Sequence, residues 1–140
     1  MKKIVADASV ILKWVLPDTN EKDVEAALQL REMAIDGQIM ILAPTLLLFE
    51  VGNILTIKEP TIAEKMIQQI MSFQLYERPW TNAWLSETLA LTKKYKVTFY
   101  DAAYHALALT EAAVFVTGDS KYVNKTEAVG NVVLLSNWRH

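Results

Sequence analysis

The chain has 140 residues, a length that suits one compact domain with a substantial buried core. Its hydrophobic fraction of 52% and charged fraction of 21% argue against a disordered or fibrous protein. The absence of cysteine excludes disulfides, thiolate zinc sites and cysteine nucleophiles, and the net charge of -2 excludes nucleic-acid binding through a broadly basic surface. We therefore expect a single domain over residues 1–140, located in the cytoplasm, whose contacts with any nucleic acid are local.

The start of the chain is basic and then apolar, as in a signal peptide, but Asp7 and Lys13 interrupt the apolar run. The longest apolar stretch, residues 46–57, is too short to span a bilayer and contains Glu50 and Asn53. We expect neither export nor insertion into a membrane.

Short aliphatic runs alternate with longer helical patterns. In chain order, the sequence predicts a strand at 4–6, helices at 9–16 and 21–35, a strand at 39–42, helices at 45–57 and 61–73, a weaker strand at 75–78 ended by Pro79, helices at 81–95 and 101–111, and strands at 114–116 and 132–135. Continuous apolar runs are typical of parallel strands covered on both faces. The alternation predicts an α/β fold with a parallel sheet.

Local signals agree with several of these boundaries. Pro44 and Pro60 stand just before predicted helix starts, and Gly37 follows a predicted helix end. Thr61 and Glu64 have the spacing of a capping box, in which both side chains bind free backbone donors at a helix start.

Three aspartates stand at the ends of predicted elements. Asp7 follows the strand at 4–6, and Asp119 follows the strand at 114–116, so both are expected at the edge of the sheet where ligands bind in open parallel sheets. Asp101 opens a predicted helix. Each also has a purely structural interpretation, since aspartate caps helices and belongs to ordinary turns.

Glu50 is harder to explain by structure alone. Apolar residues occupy nearly every side of the helix around it, at 46–55, which predicts a buried segment. A buried carboxylate needs a cation, a proton or a paired base. Asn53, one helical turn later, is positioned to hold this carboxylate. An ion pair with a lysine or arginine is the alternative.

If the four carboxylates converge, each close pair repels by on the order of 4 kcal/mol at about 4 Å and moderate dielectric. Mg²⁺ or Mn²⁺ would relieve this repulsion, because both prefer oxygen ligands. With only His105 and His140 and no cysteine, zinc is poorly supported. A metal held in this way activates water for phosphodiester hydrolysis. The sequence contains no Ser-His-Asp arrangement, nucleophile elbow or Walker loop.

Four short segments of the chain resemble motifs of the PIN-domain ribonucleases, and more narrowly of the VapC-type toxins of toxin-antitoxin pairs. The matching segments are Val-Ala-Asp-Ala-Ser at 5–9, Phe-Glu-Val-Gly-Asn at 49–53, Tyr-Asp-Ala-Ala-Tyr at 100–104 and Val-Thr-Gly-Asp at 116–119. Each segment is short, but their order and spacing are jointly specific and extend over essentially the whole chain.

The resemblance implies a three-layer α/β/α sandwich around a central parallel sheet and cleavage of single-stranded RNA with Mg²⁺ or Mn²⁺. It also implies a homodimer and, for a toxin, a small antitoxin that covers the active-site groove. It assigns the acidic site and its supporting hydroxyls to Asp7, Glu50, Asp101 and Asp119, with Ser9 and Thr117.

Some residues keep two interpretations. Lys13 and Lys121 are candidates for RNA phosphate contacts, although a solvated lysine is the favoured explanation for each. His105 lies one turn after Asp101 and would reach it, but a lone helical histidine is usually structural. The apolar segments 14–16 and 62–71 suit either partner contacts or core packing.

Other classes of protein fit less well. A non-catalytic PIN-like module that binds RNA or protein is disfavoured because every acidic position is present, and an RNA-processing nuclease outside a toxin pair remains an alternative. A phosphotransfer domain of the haloacid-dehalogenase type needs a second aspartate where this chain has Ser9. A receiver-like domain needs an acidic pair that is absent.

Overall fold

The structure is a computed structural model that describes residues 1–16 and 23–139. Its centre is a parallel sheet whose strands lie in the order β3-β2-β1-β4-β5. The strands are β1 (Lys2–Ala6), β2 (Ile39–Pro44), β3 (Leu75–Arg78), β4 (Val114–Thr117) and β5 (Val132–Leu134). All four strand pairings are parallel, which confirms the predicted sheet and includes the weaker strand.

The helices are α1 (Ala8–Leu12), α2 (Val24–Ile35), α3 (Leu46–Lys58), α4 (Ala63–Ser72), α5 (Asn82–Tyr95), α6 (Phe99–Thr110) and α7 (Ser120–Thr126). Helix α1 is shorter than predicted and gives way to a turn after Leu12. The predicted start of the second helix at 21 lies outside the described residues. Helix α7 is an element that the sequence patterns did not predict.

The predicted capping box at Thr61 and Glu64 is wrong. Helix α4 begins at Ala63, with Ile62 as its N-cap and no side-chain cap bond. The backbone N–H of Ile62 donates to the carbonyl of Glu59 in a tight turn. The helix start is set by burial of Ala63 and the residues that follow it on the same face, so packing overrides the local capping signal.

The order of the strands determines where the helices lie. The chain moves one way from β1 to β2 and β3, and then crosses back to β4 and β5 on the other side of β1. Because parallel crossovers are right-handed, α1 to α4 cover one face of the sheet and α5 to α7 the other. The result is the predicted three-layer α/β/α sandwich, with its switch point between β1 and β4.

The central strands are the most deeply buried. Ile4, Val5 and Ala6 of β1 are fully inaccessible to solvent, and β1 is paired on both sides. Helix α6 buries seven successive residues, from Ala102 to Ala108, against the sheet and α5. Both elements are therefore held rigidly up to their ends, where Asp7 and Asp101 stand. No helix in the described ranges is long and apolar enough to cross a membrane.

Candidate active site

Asp7 is held by hydrogen bonds from two neighbouring segments. It follows β1 directly and caps α1, and one carboxylate oxygen accepts from the backbone N–H of Ser9 over 3.1 Å. The Ser9 hydroxyl donates to the same oxygen over 2.5 Å. The Thr117 hydroxyl, at the end of β4, donates to the second oxygen over 2.6 Å. The capping interpretation is therefore correct for Asp7, and the carboxylate is also tied to the adjacent strand.

The same two hydroxyls position the turn that carries Asp119. The Ser9 hydroxyl accepts from the Gly118 N–H, and the Thr117 hydroxyl accepts from the Asp119 N–H, both over 3.1 Å. A Cβ atom on Gly118 would lie 3.2 Å from the Ser9 oxygen, so the close approach favours glycine. Asp119 itself accepts from the N–H of Tyr122 and caps α7, while its side chain remains exposed.

Glu50 is in a less buried setting than the sequence predicts. Helix α3 buries only one face, through Leu47, Val51 and Leu55, and Phe49 is 72% exposed. The prediction of a segment buried on every side is wrong, because α3 packs against the sheet and α1 on one side and borders the cleft on another. Glu50 is half-buried.

The partner of Glu50 is a tyrosine. The Tyr104 hydroxyl on α6 donates to Glu50 Oε1 over 2.8 Å. Within the described part of the chain, no lysine or arginine pairs with Glu50, which disfavours the ion-pair alternative. Asn53 is exposed and does not line the cleft, so the observed geometry gives it no contact with the carboxylate.

Asp101 is not the N-cap of its helix. Helix α6 begins at Phe99, and the Thr98 hydroxyl caps it by accepting from the Asp101 N–H over 3.1 Å. Asp101 therefore stands in the first turn, where its charge is favourable to the helix dipole. Its side chain lines the cleft instead of capping the helix.

These elements enclose one cleft at the carboxyl edge of the sheet. All four predicted carboxylates line it, together with the supporting Ser9. The full lining is Asp7, Ala8, Ser9, Leu12, Leu16, Glu50, Ile54, Lys58, Asp101, Tyr104 and Asp119.

The carboxylates disfavour one another's charge. Burial raises the pKa of Asp7, against the opposing effect of its Ser9 and Thr117 hydrogen bonds, and Asp101 raises it further. Burial, then Asp7 and Asp101, raise the pKa of Glu50, although its bond from Tyr104 opposes this. Burial and the charge of Asp119 raise the pKa of Asp101. The cleft is a site of concentrated negative charge that a cation would stabilise.

The family model of the PIN domain matches residues 4–127 of this chain. The chain belongs to the PIN domain family. This confirms the family resemblance drawn from the four short motifs, and PIN domains are generally nucleases. A comparison with curated protein sequences finds no match.

Several solved structures share this fold at low sequence identity. A protein from Pyrobaculum aerophilum is 22% identical with a TM-score of 0.66, covering 96% of this chain and 90% of its own. VapBC2 from Rickettsia felis, bound to a DNA fragment of its promoter, is 14% identical with a TM-score of 0.67, covering 94% and 96%. VapC20 from Mycobacterium tuberculosis, a sarcin-ricin loop cleaving toxin, is 12% identical with a TM-score of 0.65, covering 89% of this chain and 94% of its own.

The donor set of this PIN site suits a hard divalent cation. Among the described residues, its side chains offer carboxylate and hydroxyl oxygens, and none that lines the cleft is a sulfur or imidazole ligand. In residues 1–16 and 23–139, no three acidic or histidine side chains are already grouped as a ready metal shell. The acidic side chains would therefore have to turn towards a bound cation, and exposed Asp119 has the most freedom to do so.

His105 has a structural role. Its ring is fully buried, with Nε2 2.8 Å from the Gly130 carbonyl and Nδ1 2.8 Å from the Tyr122 hydroxyl. A carbonyl only accepts, so Nε2 carries the proton and Nδ1 accepts from Tyr122. Burial lowers the pKa of His105. These two hydrogen bonds connect α6 to α7 and to the turn at Gly130. His105 does not bond Asp101.

The two lysines predicted as RNA phosphate contacts do not line the cleft, whereas a different lysine does. Lys13 follows α1 and Lys121 is exposed in α7, and neither lines the cleft. Lys58, in the last turn of α3, does. Its spacing of eight residues from Glu50 is a signal in the sequence that predicts a shared helix face.

The apolar segments proposed as alternatives for partner contact mostly pack inside the protein. Trp14 is 5% exposed, and its indole N–H donates to the Ala27 carbonyl. Met66 and Ile70 of α4 are buried as well, whereas Met71 is 65% exposed. Core packing is thus the correct interpretation for most of both segments.

Proposed function

We propose that this PIN-domain protein is a Mg²⁺- or Mn²⁺-dependent endoribonuclease that cleaves single-stranded RNA. The observation that carries the proposal is the convergence of Asp7, Glu50, Asp101 and Asp119 on one cleft, with raised pKa values for the first three. Such a cluster costs free energy unless a cation binds, and perturbed carboxylates of this kind are typical of functional sites.

The four carboxylates would hold the cation. Once bound, Mg²⁺ or Mn²⁺ supplies a more acidic water and stabilises phosphate oxygens during in-line displacement. Ser9 and Thr117 fix both oxygens of Asp7, so this carboxylate is positioned before any ligand arrives. Tyr104 orients Glu50 in the same way from the opposite layer. Asp119 is exposed and lines the same cleft, where it would complete the set of carboxylates around the cation.

A local contact with single-stranded RNA agrees with the net charge of the protein. With a net charge of -2, the chain lacks the broad basic surface that holds duplex backbones, so recognition has to occur inside the cleft. The similar Mycobacterium tuberculosis protein is a sarcin-ricin loop cleaving toxin, and a similar structure from Klebsiella pneumoniae is a toxin-antitoxin complex. We extend to this chain a toxin role in the cytoplasm, a small antitoxin partner and a homodimer.

A cleavage assay tests the reaction. The purified protein should cut a fluorescent single-stranded RNA when Mn²⁺ or Mg²⁺ is added and should lose the activity in EDTA. Asp7→Asn or Asp101→Asn should abolish cleavage, because each removes a charged oxygen ligand. Asp36→Asn, an exposed position at the end of α2, is the matched control and should cleave like the unaltered protein. Cleavage that survives chelation would rule out the metal-dependent reaction.

The outcomes separate the toxin from its alternatives. Growth arrest on expression that Asp7→Asn relieves supports the toxin role. Cleavage without growth arrest points to an RNA-processing nuclease, and RNA binding without cleavage points to a non-catalytic module.

A further inference from the structure

The cleft continues beyond the carboxylates as a groove between α1 and α3. Leu12 and Leu16 line it on the α1 side. Ile54 and Lys58 line it on the α3 side, and they follow Glu50 at intervals of four residues, the spacing of one helix face. The groove therefore begins at negative charge, passes an apolar wall and ends at a positive charge.

Lys58 is the one cationic side chain that lines this cleft in the part of the chain that the structure describes. It lies eight residues after Glu50, a rise of about 12 Å along α3. Among the described residues, Lys58 forms no salt bridge with Glu50, so it does not neutralise this carboxylate at contact distance. Its ammonium is exposed and available to a ligand.

A lysine in the last turn of a helix also has a simple structural explanation, because it complements the helix dipole. That explanation applies to any side of the last turn. It does not account for the placement of Lys58 on the face that continues the carboxylate cleft.

We propose that Lys58 binds a backbone phosphate of the single-stranded RNA substrate, a few nucleotides from the phosphodiester that is cut. The nucleotides between would lie against Leu12, Leu16 and Ile54, which offer apolar contacts to bases and sugars without reading a sequence. This inference rests on the proposed ribonuclease activity and adds a substrate-positioning residue to it.

Charge complementarity favours an RNA strand as the occupant. Phosphates next to unscreened carboxylates are repelled, so a strand entering this cleft gains from a cation placed away from them. A single lysine contact fixes the register of a strand without specifying its bases. One local contact also agrees with a chain whose net charge is -2.

The test compares Lys58→Gln with Lys65→Gln, an exposed lysine of α4 outside the cleft, so that the change in net charge is the same. Cleavage of a labelled single-stranded RNA is followed with Mn²⁺ over a range of salt concentrations. Lys58→Gln should raise KM several-fold with little change in kcat, because a remote phosphate contact acts equally in the ground and transition states. The slope of log KM against log salt should fall by about 0.7, the value for one phosphate contact on a single strand.

Lys58→Arg should bring KM most of the way back to that of the unaltered protein, because the positive charge is kept. The two glutamine variants should unfold at the same temperature. If Lys58→Gln and Lys65→Gln share the same KM and salt slope, the phosphate contact is overturned while the proposed activity stands. A loss of kcat alone, with KM and slope unchanged, overturns it as well. If the unaltered protein cleaves no RNA, both proposals fail together.

Discussion

Tyr104 joins the two helical layers of the protein at the cleft. It is 1% exposed and stacks on Phe115 with ring centroids 5.9 Å apart, so its hydroxyl has little freedom to move away from Glu50. Burial and the charge of Glu50 raise the pKa of Tyr104. The hydroxyl is therefore protonated at neutral pH and able to donate to Glu50.

Removing this hydroxyl should weaken metal binding more than folding. We expect Tyr104→Phe to lower the affinity for Mn²⁺ by about tenfold, the lower end of the range for residues that orient metal ligands. Titration calorimetry measures this directly, and circular dichroism checks the fold. Tyr76→Phe, on edge strand β3, is the control. Equal Mn²⁺ affinity in the two variants would contradict an orienting role for Tyr104.

The sequence identified Glu50 for a reason that the structure only partly supports. Apolar residues around it predicted complete burial, but α3 exposes Phe49 and Ile57, at 72% and 71%. The composition of a helix does not reveal which of its apolar faces packs against the rest of the protein. Tyr104 stands three residues after Asp101, a spacing that places both on one face of α6, but no local pattern predicts that its hydroxyl bonds Glu50.

Among the elements, the parallel strands were the most predictable. Continuous aliphatic runs are required where helices cover both faces of a sheet, so β1, β2, β4 and β5 are visible in the sequence. Helix α7 was not, because it has seven residues and buries only Tyr122 and Thr126, which is too little for a periodic pattern. Its cap, Asp119, looked like an ordinary turn residue.

Helix α3 carries a glycine that its own geometry does not require. Gly52 lies in the helix interior, and a Cβ atom there would meet only Ile67 Cδ1, at an ordinary contact distance of 3.9 Å. We expect Gly52→Ala to raise the free energy of unfolding by about 0.5–1 kcal/mol through the entropy of the unfolded chain. Chemical denaturation measures the change. Gly118→Ala is the contrasting variant and should destabilise, since its Cβ would lie 3.2 Å from the Ser9 oxygen.

At the scale of the whole molecule, the site depends on the strand order, which no local pattern reveals. The carboxylates converge because β1 and β4 are neighbours in the sheet. More than a hundred residues separate Asp7 from Thr117 in the sequence, yet their side chains are joined by a hydrogen bond. The general rule for parallel sheets placed Asp7 and Asp119 at one edge. The family resemblance predicted the three layers of the sandwich. Neither the parallel-sheet rule nor the resemblance predicted that Tyr104 and Lys58 would line the cleft.

The convergence should cost stability in the metal-free protein at neutral pH. The pKa values of Asp7, Glu50 and Asp101 are raised in the folded state. Between the ordinary carboxyl pKa of about 4 and these raised values, the folded protein holds protons that the unfolded chain has released, so stability falls as pH rises through this window. Magnesium should reverse the loss, by about 2.7 kcal/mol at a hundred times its Kd.

Thermal unfolding with and without Mg²⁺, from acidic to neutral pH, measures both effects. Asp101→Asn tests them, because it removes one of the three groups together with the effect of its charge on the pKa values of Asp7 and Glu50. In the absence of metal, the unaltered protein should lose stability relative to Asp101→Asn as the pH rises, and the variant should gain less from Mg²⁺ at neutral pH. Near pH 4, the raised pKa values favour the protonated forms of Asp7, Glu50 and Asp101, so Mg²⁺ should stabilise both proteins much less than at neutral pH. A stability difference that is independent of pH would mean that Asp101 is not part of a strained acidic cluster.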